Sequence, residues 1–231
     1  MPIAKEKKAP SLFGVYLVAA IMVWLGVVLG FVYLTTFPTK GFANMREYKE
    51  ARLDKDSPGV PKPDDGFYIN GPILASRSWE AKRERLNAEG PQTVSLSAGE
   101  LNAWVNARLS AALPTLNAKD SNLVVVPGLP NFAVVEKHGF YINLPLTVFI
   151  FGSKREYTLT ATGSVGKSGF KPDSVSLNRA ALPLPGILGK WVLSLLGRSF
   201  QSTEDYKIFA QALNRAESIS IEADALVFSL R

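Results

Sequence analysis

A chain of 231 residues, 47% hydrophobic and 20% charged, has room for one ordinary domain beside a membrane segment and is too apolar to be mainly disordered. The absence of cysteine excludes disulfides, zinc-finger spacing, a thiol nucleophile and a lipidated cysteine, and leaves the redox compartment open. Of the net charge of +6, Lys5, Lys7 and Lys8 less Glu6 supply +2, leaving +4 for the rest. The later basic residues are interleaved with acids, as in "MREYKEARLDKD" and "EAKRERLNAE", so nucleic acid is not an expected partner.

No charge occurs between Lys8 and Lys40. Residues 12–37 therefore read as one transmembrane helix, since a bilayer core of ~30 Å needs roughly 20 apolar residues. The run is too long for a signal-peptide core, and no small-x-small cleavage site follows it. Residues 1–11 form the preceding tail. Lys5, Lys7 and Lys8 are packed closer to the span than Lys40, Arg46, Lys49 and Arg52, which favours a cytoplasmic N-terminus and an exported, periplasmic domain. Gly26 and Gly30 make a G-x-x-x-G, a spacing that lets two helices approach closely, although glycine is also common in membrane helices.

Residues 38–65 read as a polar spacer ending in "SPGVPKPDDG", whose prolines cannot continue a helix, and the domain proper is expected over 66–231. "FYINGPIL" predicts a short strand and "SRSWEAKRERLNAEG" a surface helix. Residues 92–96 predict a strand running into "SLSAGELNAWV". There Ser97 and Glu100 fit the S-x-x-E capping box, and Leu101, Trp104, Val105 and Leu109 share one helical face, with Asn102 and Asn106 on the other side. A Ser–Glu pair lacking a base is a poor nucleophile, so the motif starts a helix.

Beyond this helix the period changes to two. "SNLVVVPG", "NFAVVEK", "FYINLPLTVFIFG", "REYTLTATGSVG" and "DSVSLNRAAL" predict an antiparallel meander with one apolar and one polar face. The expected cover is the capped helix together with an apolar helix at 185–199 carrying Ile187, Leu188, Trp191, Leu195 and Leu196. A third helix starts at Thr203, with Tyr206, Phe209, Ala210 and Leu213 inward, and two strands close the chain around Asp224. The fold class is thus α+β: an antiparallel meander covered by two or three helices, after one N-terminal transmembrane helix.

The anchor, the helix with its Leu101–Asn102 pair, the meander, and the strand "SVSLNRAALPLPGILGKWV" running through Leu-Pro into a helix together resemble the YpmS-type family of membrane-anchored bacterial proteins of unknown function. The matching stretch is about 94–196. The resemblance implies an architecture and an envelope location, and no reaction; the chain departs from it after residue 197 with its own extra helix.

No catalytic residues, metal ligands or cofactor are expected. His138, the single histidine, sits in a hairpin turn without further ligands in reach of its sequence. "GSVGKSG" (163–169) lacks phosphate-loop spacing and leads into a strand. Asp64–Asp65 fall in the spacer, and Glu204–Asp205 fall in a helix's first turn, where acids favour the dipole. The apolar segment 182–200 is expected first of all to pack on the core, because an antiparallel sheet's apolar face needs a cover; a membrane-lying helix and a ligand pocket are the alternatives. The leading reading is a non-enzymatic envelope protein that binds lipid or another apolar ligand near the membrane. Its hypothetical pocket residues are Leu146, Val148, Leu188, Trp191 and Leu195. The alternative is an accessory subunit docking to a larger membrane complex, or to itself, through Gly26 and Gly30 and through an aromatic such as Trp79 or Trp191.

Overall fold

The computed structural model describes residues 11–53, 66–109, 123–136, 139–182 and 203–231. Helix α1 (Leu12–Thr35) opens at Ser11, whose Oγ accepts from the Gly14 N–H at 3.1 Å. With 24 residues it extends about 36 Å at 1.5 Å per residue, and a mean hydropathy of 2.6 makes it long and apolar enough to cross a bilayer.

The domain is α+β, as its hydrophobic periods require. Six strands form the larger sheet: β4 (Leu123–Pro127), β5 (Asn131–Val135), β6 (Gly139–Ile150), β7 (Ser153–Gly166), β8 (Gly169–Leu177) and β9 (Ala180–Leu182). Its order is β4-β6-β7-β8-β9, with β5 also on β6, and every pairing is antiparallel. Strands β4 and β5 share one edge of β6 and break at Pro145. Proline has no N–H for a ladder, and its carbonyl is taken by the Gly128 N–H at 2.7 Å.

The register sets the faces. Leu144 lies opposite Leu159, Ile142 opposite Ala161 and Leu146 opposite Tyr157, so one face is apolar across the strands. Helices α3 (Ser78–Asn87), α4 (Ala98–Leu109) and α5 (Glu204–Arg215) and a three-stranded sheet, β10 (Ala216–Glu222), β11 (Ala225–Leu230) and β3 (Gln92–Ser97), build the main core on that side. There Val94, Leu96, Leu226 and Phe228 are essentially sealed, and Val134 and Phe140 join them from the larger sheet.

Three sequence expectations change. The spacer is the first: residues within 38–65 enter the domain, because β1 (Lys40–Phe42) pairs in parallel with β2 (Phe67–Ile69), and α2 (Met45–Leu53) packs beside them. Phe42, Tyr48 and Ile69 form a second core with Ala133 and Tyr141 on the other face of the larger sheet. That polar face is consequently half covered, and Asn143 and Thr160 are buried in it. The domain therefore begins at the end of α1. Secondly, the surface helix α3 is tied into the domain, since it buries Trp79 and Leu86 and bonds to both α4 and α5. Thirdly, α5 packs Phe209 and Leu213 against the core as expected, but Ile208 and Ala212 are its buried residues and Tyr206 stays exposed. The predicted helix at 185–199, His138 and Asp64–Asp65 lie outside the described residues.

Candidate apolar site beside the end of the N-terminal helix

The end of α1 is built into the sheet. Asn178, in the β8–β9 turn, adopts φ +51 and is 3% exposed; its Nδ2 donates to the Thr35 carbonyl at 2.6 Å and its Oδ1 accepts from the Thr158 N–H at 2.8 Å. Asparagine tolerates the left-handed region and carries both a donor and an acceptor, so a single turn residue satisfies a helix-terminal carbonyl and a strand amide. Arg179 adds a bond to the Pro38 carbonyl and lies over the Phe37 ring. One turn back along α1, Phe31 packs against the cluster of Leu144, Leu159, Ala161, Val175 and Leu182 on the sheet's apolar face.

Leu146 and Val148, two of the expected pocket residues, continue this same face beyond the cluster. Both are half-buried. Val148 pairs across to Val125 and Ile150 to Leu123. Leu123, Val125 and Ile150 are exposed, and Phe151 at the hairpin tip is 81% exposed. An apolar strip thus runs on from the Phe31 contact without a cover among the described residues. Leu188, Trp191 and Leu195 lie outside those residues. Gly26 and Gly30 face open space, with no atom within 4 Å of a Cβ placed on either.

Elsewhere the carboxylates of the capped helix and of α5 are engaged in structure. The Ser97 N–H donates to Glu100 Oε2 at 2.9 Å and the Glu100 N–H to Ser97 Oγ at 3.3 Å, which is the capping box. Glu100 also accepts from Lys82 at 2.6 Å and from Ser78 at 2.8 Å, tying α4 to α3. Burial pushes the Glu100 carboxyl up, but these bonds outweigh it and hold it below the ordinary range. Asp205 is held likewise: burial acts against it, and donation from Arg83, Trp104 and Arg108 lowers it. Trp79 stacks on Trp104 with ring centroids 6.1 Å apart and is 7% exposed, so it is core rather than a docking aromatic. Asn102, read as lying away from the core, is buried at 2% and bonds to the backbones of Pro72 and Phe132. The turn between β7 and β8 at 166–169 joins two strands and backs no helix.

Among the described residues the surface includes two clefts. One, of about 420 Å³, lies between the segment 73–80 and α4. The other, of about 610 Å³, lies beside α2 and is floored by Tyr48, Phe67 and Tyr141. Sequence reasoning missed the second because its floor comes from three elements that only the β1–β2 pairing brings together. The aromatic spacing of Phe42 and Tyr48 was the available signal.

No family model, curated protein or solved structure matches this chain.

Proposed function

We propose that the chain is a single-pass envelope protein, its N-terminus cytoplasmic, whose non-enzymatic extracytoplasmic domain binds lipid or another apolar ligand close to the bilayer. The observation that carries this reading is the apolar strip of Leu146, Val148, Ile150 and Val125, which continues the surface on which Phe31 of α1 packs. Apolar surface joined to the end of an apolar helix favours acyl chains, because moving them from water onto such a strip gains about 25 cal/mol per Å². Kinship with the YpmS-type family is part of the proposal, supported by the Leu101–Asn102 helix followed by the meander. The test uses the full chain in nanodiscs containing a phospholipid with a photoreactive acyl chain, followed by peptide mapping. Adducts within 123–125 and 146–151 are the expected result; labelling confined to α1 would overturn the reading.

A second reading, docking to a membrane partner or a second copy, draws on the open surface at Gly26 and Gly30. Replacing both glycines with leucine should then abolish cross-linked dimers or co-purifying partners while leaving acyl labelling of the strip intact.

A further inference from the structure

We propose that the cleft beside α2 is a headgroup-selective site for an anionic phospholipid drawn from the bilayer that α1 enters. This site lies on the opposite face of the larger sheet from the apolar strip, and it does not depend on the strip's occupant.

The cleft has an amphipathic lining. Tyr48 and Phe67 stack with centroids 3.8 Å apart and, with Met45 and Tyr141, give it an aromatic and aliphatic floor. Its volume of about 610 Å³ falls within the usual range for small-molecule sites, and an acyl segment matches such a floor. Lys49 and Arg52 stand on the rim.

These two cations differ from their neighbour on the same helix. Arg46 is bonded to Glu50 at 2.6 Å, and Glu47 accepts from the Ala43 N–H at 2.7 Å, so the acids of α2 are already engaged. Among the described residues Lys49 and Arg52 have no carboxylate partner. Arg52 instead lies over the Tyr48 ring and donates to the Tyr48 hydroxyl at 3.3 Å. A guanidinium held by an aromatic keeps most of its N–H groups for an anion, and the fork matches phosphate oxygens. Tyr141, itself 7% exposed, lines the same cleft, and burial favours its neutral hydroxyl, a donor to a phosphate. Two positive charges and a phenol beside an apolar floor complement a lipid with a phosphodiester and a net negative headgroup. A zwitterionic lipid would bring its own cation against Lys49.

Placement completes the argument. Only residues 36–44 separate α1 from α2. Ten steps of at most ~3.6 Å bound the cleft to within about 36 Å of the helix end, which Asn178 fixes to the domain.

The test uses the full chain released from detergent micelles for native mass spectrometry, after equilibration with equal phosphatidylglycerol and phosphatidylcholine. The expected result is preferential retention of phosphatidylglycerol, falling about tenfold in the double variant Lys49→Gln, Arg52→Gln, as loss of a charge-assisted contact predicts. Arg46→Gln, which removes the same charge from the paired position, should leave the preference unchanged, and Tyr141→Phe should lower it severalfold. Both glutamine changes sit on an exposed helical surface, and an unaltered thermal midpoint will report that the fold is kept. Equal retention of the two lipids by the unmodified chain, or an equal effect of Arg46→Gln, would overturn the site. Displacement by soluble glycerol phosphate as effectively as by lipid would also overturn it, because a soluble anion would then be sufficient. Acyl labelling at Val148 is independent of Lys49 and Arg52, so failure here and failure of the strip are distinguishable.

Discussion

Asn178 donates from Nδ2 to the carbonyl of Thr35, the last residue of α1, across 2.6 Å, and both residues are buried. The contact makes the end of an apolar helix part of the α+β domain. Helix-terminal carbonyls lack intrahelical donors, and a side-chain amide from the domain supplies one here. The domain consequently takes its orientation from α1 and does not hang from a flexible linker.

Replacing Asn178 with alanine should therefore uncouple the two. The change removes a donor from Thr35 and an acceptor from the Thr158 N–H, and it puts alanine, which tolerates the left-handed region less well than asparagine, at φ +51. The combined cost is about 2–4 kcal/mol. Thermal unfolding of the full chain in detergent should shift down, and limited proteolysis should open near residues 36–38. Asn178→Gly keeps the backbone conformation and should lose about half as much. An unchanged cleavage pattern in both variants would count against the coupling.

Asn102 offers a second test. Its Nδ2 donates to the Pro72 and Phe132 carbonyls, each at 2.8 Å, and its Oδ1 accepts from the Phe132 N–H at 2.7 Å. Asn102→Leu takes the side-chain partner from three backbone groups in part-buried bonds and should cost about 2–3 kcal/mol. Urea unfolding will read this as a lower midpoint with an unchanged slope. Gly71, next to this clamp, should tolerate nothing larger, since a Cβ there would fall 1.8 Å from the Phe132 carbonyl oxygen. Gly71→Ala is expected to abolish soluble folding, whereas Gly152→Ala, at an open hairpin tip with φ +80, should cost only about 1 kcal/mol.

Acid sensitivity follows from Glu100 and Asp205. Both carboxyls titrate lower in the folded chain than unfolded: burial raises each, but donation from Lys82, Ser97 and Ser78 to Glu100, and from Arg83, Trp104 and Arg108 to Asp205, together outweighs it. The stability they contribute is complete above the unfolded values, about 4.3 for glutamate and 3.9 for aspartate, and is lost as pH falls through the folded values. A plot of stability against pH should be flat near neutrality and drop below about pH 4. Glu100→Gln should flatten that acid limb, and a limb of unchanged depth would assign the drop to other carboxylates.

Thr160 predicts a stabilising change. It is 4% exposed on the covered polar face, and its Oγ1 has no partner among the described residues. Thr160→Val removes an unsatisfied hydroxyl at nearly constant shape and should raise stability by about 1 kcal/mol. A lower melting temperature would instead indicate an internal water bridging Thr160 and Asn143, whose Oδ1 likewise has no partner among the described residues.

The alternation in residues 139–166 and the helical period at 101–109 were enough to read an α+β domain from the sequence, along with the apolar helix before it and the caps at Ser97 and Thr203. These are local properties: side-chain period, turn chemistry and end-capping act within a few residues. Leu146 and Val148 were legible as one apolar face for the same reason. What tertiary structure decided are the contacts between distant segments. The parallel pairing of 40–42 with 67–69 crosses a proline-rich stretch that reads as a spacer, and no local pattern marks three-residue strands. Asn102 looks like a solvent-facing residue of a helix until the backbone of Phe132, thirty positions away, arrives to use its amide. Asn178 and Thr35 are joined across 143 positions, so only closure of the whole fold could reveal that the apolar helix α1 and the sheet share a hydrogen bond. The cleft beside α2 has the same origin: its cations are local to one helix, but its floor exists only once three separate elements have met.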